Sequence, residues 1–251
     1  MIVAEIYQQR NGKIVGFVLT GHNETEKRGH GYNIHCAEVS MLSSAAYISI
    51  RKYLGRDAAT ENNAHGGLGL ELQDAPDDLT EAVFQIMLIG LREIEKINPK
   101  VIKIQTIRID AAAKEKIQHE LEKMTPSQPK PLPKVNVEAV CLNAEMFHDT
   151  SGQFIGFSVA ERAGKRVEEQ EIYCAAAWVM TKATFACLRD HLRRNLEIEF
   201  DSRLLSVKLS TQPDDLTEAV FQTMFIGMSE LEKLAPKVIR TEKILFGGET
   251  K

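Results

Sequence analysis

One ten-residue stretch occurs twice in the chain, first as Pro76-Asp77-Asp78-Leu79-Thr80-Glu81-Ala82-Val83-Phe84-Gln85 and again, unchanged, at residues 213–222. The likeness extends past it, since residues 76–102 and 213–239 are identical at 20 of 27 positions. Upstream, the pair Gly16-Phe17 matches Gly156-Phe157, and Cys36-Ala37 matches Cys174-Ala175. A period of about 138 residues is too long for a solenoid repeat. The chain therefore contains two whole domains of one fold.

Each copy has the pattern of a small α+β domain. In the first copy, Asn11-Gly12 between two apolar runs predicts a β-hairpin. A helical apolar pattern then starts at Cys36 and ends at Gly55. Asp78 with Glu81 predicts a capping box for a second helix, which Asn98-Pro99 ends. The predicted elements are strands 2–8 and 13–20, helix 36–54, strand 68–72, helix 79–97 and strand 101–104, with a turn-rich stretch before the third strand.

The second helix is apolar on nearly all sides, and its repeat at residues 216–234 keeps this property. Such a helix needs cover on two faces. One face can pack on its own sheet, and the other on the sister helix of the other copy. The predicted fold class is therefore α+β, with two tandem copies of a two-layer domain (β-hairpin, helix, strands, helix, strand) packed as an intrachain pseudo-dimer.

The predicted domain bounds are 1–110 for copy one, 111–134 for a connecting helix and linker, and 135–251 for copy two. Charged residues over 110–123 favour a helix with a solvated surface. The proline-rich residues 125–133 predict a stiff, extended linker.

Composition excludes several classes of protein. The 251 residues are 43% hydrophobic, carry a net charge of −4 and form no basic stripe, so we expect no direct nucleic-acid partner. No apolar run reaches about 18 residues, so no membrane partner is expected. The first residues read as a strand without a basic leader, and a cytoplasmic protein is predicted. The four cysteines form no C-x-x-C pair, which favours free thiols, with Cys141 and Cys187 as buried small hydrophobes.

The chemistry concentrates in the segment from Gly21-His22 to Cys36, a loop that contains Gly29 and Gly31. A histidine and a cysteine that bracket such a loop can form a dyad. At a helix start, the macrodipole and free N–H groups favour the thiolate. His22 can act as general base, while N–H groups near Cys36 and Ala37 hold the oxyanion and loop 23–35 closes over a peptide.

The segment resembles the ribosomal-processing cysteine protease family, Prp, in its Gly-His pair, glycine-containing loop and Cys-Ala-x-x-Ser sequence at residues 36–40. The resemblance covers residues 1–106 and, as a degenerate unit, 135–243. It implies an α+β fold that pairs as a dimer, needs no cofactor and removes the N-terminal extension of a large-subunit ribosomal protein. It also implies the roles of nucleophile for Cys36, base for His22, loop hinge for Gly21 and support for Asn33, Ala37 and Ser40. Asn33 departs from the family, which usually has aspartate there, and the loop is slightly longer than usual.

The second copy lacks part of this set. Glu161-Arg162 replaces Gly21-His22, and Cys174 has no histidine shortly before it. We therefore predict one competent cysteine endopeptidase site per chain, with copy two as a pseudo-enzyme.

Two alternatives stay open. The first is a catalytically inactive binding or regulatory module of the same fold, associated with the ribosome. The second is a zinc or nickel site built from His22, His30, His35 and Cys36. His65, beside two glycines, is interpreted as a turn residue.

Overall fold

The computed structural model describes residues 1–22, 33–62, 67–109, 117, 119, 121, 140–162 and 168–246. Copy one contains strands β1 (Ile2–Gln8), β2 (Ile14–Thr20), β3 (Ala58–Asn62), β4 (Leu68–Leu72) and β5 (Ile102–Arg108). Its helices are α1 (Ile34–Ile48), which continues as a π-helical turn over Ser49–Tyr53, and α2 (Asp78–Ile97).

Copy two repeats this order. Its strands are β6 (Leu142–His148), β7 (Phe154–Glu161), β8 (Leu196–Phe200), β9 (Leu204–Leu209) and β10 (Ile239–Leu245). Its helices are α3 (Glu168–Ala186), followed by a π-helical turn over Cys187–His191, and α4 (Asp215–Leu234). The prediction of two α+β copies is confirmed.

Among the described residues, each copy has one five-stranded sheet, in the order β3-β4-β2-β1-β5 and, at matching positions, β8-β9-β7-β6-β10. The first two strands form the predicted antiparallel hairpin, and the last strand returns parallel to the first. Gly12 and Gly152 sit in the hairpin turns at φ +86° and +87°, where other residues are strained. The hairpin prediction around Asn11-Gly12 is confirmed. Strand β3 was missed because its residues lack apolar alternation, and it forms by antiparallel pairing with β4.

Within the described parts of the two copies, the four long helices pack together between the two sheets and share one hydrophobic core. Helix α2 contacts α4, as predicted for the sister helices. The most extensive contact between the copies, however, joins α1 to α3, which the sequence did not indicate. Gly90 on α2 allows this close packing, because a Cβ there would lie 2.6 Å from both Leu42 methyl carbons and 3.2 Å from the Ala183 Cβ.

The predicted capping box of α2 is wrong by one residue. Asp77, in extended conformation, caps the helix by accepting the Thr80 N–H at 2.8 Å, and Thr80 Oγ1 accepts the Asp77 N–H at 3.0 Å. Glu81 instead accepts the Ile14 N–H of β2 at 2.7 Å, which ties the helix to the sheet.

The segment that connects the copies is described at only three positions, all helical. Ile117 and Leu121 are buried against Tyr7, Val15 and Val18 on the outer face of the first sheet. The predicted solvated surface is therefore wrong for this side of the segment. The linker at 125–133 lies outside the described residues. No helix within the described ranges is long and apolar enough to cross a membrane.

Candidate active site

His22 and Cys36 meet where β2 ends and α1 begins. The Cys36 Sγ lies 3.3 Å from the His22 Nδ1. His22 lies two residues past Thr20, the paired end of β2, and the intervening Gly21 has φ +84°. A Cβ at Gly21 would lie 2.6 Å from the Met1 carbonyl oxygen, so both conformation and space require glycine. The two predicted dyad residues are thus within hydrogen-bonding distance.

Asn33 fixes the start of the cysteine helix. It is buried, has extended backbone geometry, and its Oδ1 accepts the Cys36 N–H at 3.1 Å. Its carbonyl accepts the Ala37 N–H at 3.2 Å. The helix therefore starts at Ile34 rather than at the predicted Cys36, and Asn33 acts as its N-cap.

This cap engages the N–H groups that were predicted to hold the oxyanion. The Cys36 and Ala37 N–H groups already bond to Asn33. N–H groups of a first helical turn, together with the positive end of the macrodipole, can face a developing oxyanion beside Cys36. The thiol itself lies in the first turn, where the helix macrodipole favours the thiolate.

A second ionisable pair, which the sequence reading missed, flanks the cysteine. His35 Nδ1 lies 2.8 Å from Glu38 Oε2, and both side chains are less than a fifth exposed. The pKa of Glu38 is raised, chiefly by burial. The hydrogen bond from His35 and the charge of Lys182 in copy two lower it by less than burial raises it. The i,i+3 spacing of a histidine and a glutamate was the available signal.

His35 and Glu38 line a cleft of about 580 Å³ between the copies. Its other walls come from the end of α2 and from Trp178, Val179 and Lys182 of α3. Residues of the second copy therefore lie beside the first turn of the cysteine helix.

The structure describes only some of the remaining predicted site residues. Ala37 is half-buried and follows the cysteine, while Ser40 is exposed one turn further along α1. Gly29 and Gly31 of the substrate loop, with His30 and His65, lie outside the described residues.

Within the described parts of the chain, no three histidine, cysteine or acidic side chains are grouped to hold a metal ion. The structure instead pairs His35, one of the proposed ligands, with Glu38.

Copy two presents its cysteine differently. Its helix α3 starts at Glu168, so Cys174 is the seventh residue, beyond the first turn, and is 1% exposed. Arg162 follows β7 where His22 follows β2. Cys187 is also buried, which raises its pKa to about 12. Cys36 is half-buried, lies in the first turn of its helix and is 3.3 Å from the imidazole of His22. Neither Cys174 nor Cys187 combines these features.

We expect Asn33→Ala to lower the free energy of unfolding by about 1 kcal/mol, because the cap on the Cys36 N–H is lost. Asn33→Asp keeps an acceptor and should retain stability within about 0.5 kcal/mol, since aspartate caps as well as asparagine. Its added negative charge disfavours the nearby thiolate, so Cys36 should alkylate more slowly with iodoacetamide at neutral pH. Urea unfolding and timed mass spectrometry measure the two effects. Equal stability of all three proteins would contradict the capping role.

Comparison with known proteins gives matches for each copy. The family model of the cysteine protease Prp matches residues 1–103 and again 142–240. Among solved structures, a Streptococcus mutans protein is 15% identical with a TM-score of 0.38, over 42% of this chain and 96% of its own. The ribosomal processing protease Prp from S. aureus, crystallised with a substrate peptide, is 19% identical with a TM-score of 0.37, over 43% of this chain and all of its own. No curated protein sequence matches the chain.

Proposed function

The chain belongs to the cysteine protease Prp family, and on that premise we propose that it is a cysteine endopeptidase with one competent site, formed by Cys36 and His22. The observation that carries the proposal is the 3.3 Å contact between Cys36 Sγ and His22 Nδ1 at a helix start. Copy two, without a histidine at the matching position, serves as the pseudo-dimer partner. The proposal includes a cytoplasmic location. It also includes the predicted domains 1–110 and 135–251, joined by residues 111–134.

The proposed reaction is acyl transfer through a thioester. His22 takes the Cys36 proton, and the thiolate sulfur attacks the peptide carbonyl carbon. N–H groups of the first turn stabilise the oxyanion of the tetrahedral intermediate. The imidazolium of His22 then protonates the leaving amine. Water, deprotonated by His22, hydrolyses the thioester and frees Cys36.

The proposed substrate is the N-terminal extension of a large-subunit ribosomal protein. Family membership supports this assignment, because both copies resemble a family that has this activity. The groups at the site act on a peptide bond without a cofactor.

A peptide that spans the extension and the first residues of the mature ribosomal protein, from the same organism, tests the proposal. Incubation with the full chain should yield two fragments from one cut, identified by mass spectrometry. Inhibition by iodoacetamide should follow alkylation of Cys36. An intact peptide in the presence of folded, unmodified protein would overturn the peptidase assignment for this substrate.

A second candidate function is a non-catalytic binding module of the same fold. Asn33 favours it, because an uncharged side chain in place of the family's aspartate cannot stabilise an imidazolium by charge. Its described bonds moreover go to the helix start, at the Cys36 and Ala37 N–H groups. Retained binding of the same peptide without cleavage, measured by fluorescence anisotropy, is the result that distinguishes this function.

A further inference from the structure

Strand β8 forms an edge of the second sheet and is unusually exposed for a strand with large apolar side chains. It pairs with β9 on one side only among the strands that the structure describes. Its sequence, residues 196–200, alternates apolar and acidic side chains. Ile198 is 49% and Phe200 70% exposed.

The pairing register assigns these side chains to faces. Ile198 lies opposite Val207 and Phe200 opposite Leu205, both buried in the shared core. Cross-strand partners share a face, so the apolar side chains of β8 extend the helix-side face of the sheet past its covered area. Glu197 and Glu199, opposite Lys208 and Ser206, are exposed on the other face. The 3.7 Å ion pair between the half-buried Lys208 and the exposed Glu197 is partly solvated and therefore weak.

The hydrogen-bond pattern shows which backbone groups point outward. The Ser210 N–H donates to the Asn195 carbonyl, and the Asp201 N–H to the Leu204 carbonyl, each at 3.0 Å. Bonded pairs alternate along an antiparallel ladder. Residues 197 and 199 therefore bond to β9, while the N–H and C=O groups of residues 196, 198 and 200 point away from the sheet.

The first copy lacks this surface. Its edge strand β3 pairs with β4 in the same register, and Ala58, Thr60 and Asn62 occupy the positions of Leu196, Ile198 and Phe200. Only the copy without the histidine–cysteine pair has the large apolar residues.

We propose that β8 binds an extended peptide segment with alternating apolar and basic residues, which adds to the sheet as a sixth strand. The outward groups of residues 196, 198 and 200 supply main-chain hydrogen bonds. Apolar peptide side chains cover Ile198 and Phe200, and lysine or arginine side chains meet Glu197 and Glu199 on the other face. This site is separate from, and independent of, the reaction at Cys36.

A second copy of the chain fits this edge poorly. Antiparallel self-pairing centred on Ile198 would place Glu197 of each chain opposite Glu199 of the other. Like charges directly opposite each other destabilise a strand pair. The occupant that complements the charge is a basic peptide.

Fluorescence anisotropy of the full chain with labelled synthetic peptides tests the proposal. The probe has the core Val-Lys-Ile-Lys-Val, and its control, Lys-Lys-Val-Ile-Val, has the same composition without the alternation. The alternating probe should bind at least about tenfold more tightly than the control, and salt should weaken its binding. Equal affinities would overturn the proposal, because charge alone would then account for binding. Absence of binding, or concentration-dependent dimerisation through β8 in sedimentation, would also overturn it.

Variants of β8 separate the backbone from the side chains. Ile198→Pro removes an outward N–H without breaking the ladder to β9, and it should weaken binding about tenfold or more. Ile198→Thr, which copies Thr60 of β3 and keeps the N–H, is the matched control and should lose less. Phe200→Asn copies Asn62 and should weaken binding in a protein whose thermal midpoint is unchanged. Unaltered binding by Phe200→Asn would contradict the proposal even if the proline variant failed to fold.

Discussion

Cys36→Ala should lower kcat/KM for peptide cleavage by a factor of about 10⁴ or more, because the nucleophile that forms the thioester is removed. His22→Ala should cost about 10² to 10⁴, the range expected for a positioned general base. The two losses should not add in the double variant, because the residues act as one unit. Initial rates at saturating and limiting peptide separate kcat from KM.

The second copy provides a matched control for this experiment. Cys174→Ala removes a thiol from the matching helix, where Cys174 is buried beyond the first turn. Cleavage should stay within about twofold of wild type, since Cys174 is buried beyond the first turn of its helix and takes no part in the proposed reaction. If Cys174→Ala abolished cleavage while the protein stayed folded, the assignment of one competent site to copy one would be wrong.

Gly90→Leu should lower the free energy of unfolding by about 3 kcal/mol, the upper part of the range for overpacked cores. A Cβ at Gly90 already approaches Leu42 of α1 and Ala183 of α3, and a longer side chain has to push both helices away. Because Leu42 belongs to the cysteine helix, peptide cleavage should fall as well. Urea unfolding and the cleavage assay measure these effects.

Two further substitutions show whether the loss of stability comes from crowding at the crossing of α2 with α1 and α3. Gly90→Ala should stay within about 1 kcal/mol of wild type, because alanine favours the helix and the flexible Leu42 methyl groups can move. Arg92→Leu introduces the same leucine at an exposed position of α2 and should change stability by less than about 0.5 kcal/mol. A loss for Arg92→Leu equal to that for Gly90→Leu would contradict the role of the crossing.

The features that could be predicted are those set by neighbouring residues. The hairpin followed from Asn11-Gly12, since its turn needs positive φ. The two copies followed from the identity between residues 76–102 and 213–239. The buried helix faces followed from the spacing of apolar residues. Cys36 and His22 could be paired because a glycine-containing loop joins a strand end to a helix start, and the structure places their side chains 3.3 Å apart.

The features that were missed depend on contacts distant in sequence. Asp77 and Asp78 are equally good caps by local rules, but Asp78 pairs with Lys13, 65 residues away, and Asp77 caps the helix. Strand β3 forms because β4 offers an open edge rather than because of its own pattern. Asn33, predicted only as a supporting residue of the site, bonds to the Cys36 and Ala37 N–H groups as the N-cap of the helix.

The single core shared by α1 to α4 has a consequence for assembly. Two separate chains that formed such a core would part on dilution below their dissociation constant. Here one polypeptide carries both halves, so their association is intramolecular and is governed by an effective concentration, typically millimolar for a short tether. The midpoint of unfolding should then be independent of protein concentration. The histidine–cysteine site would remain intact in a cell that makes only a few copies of the protein.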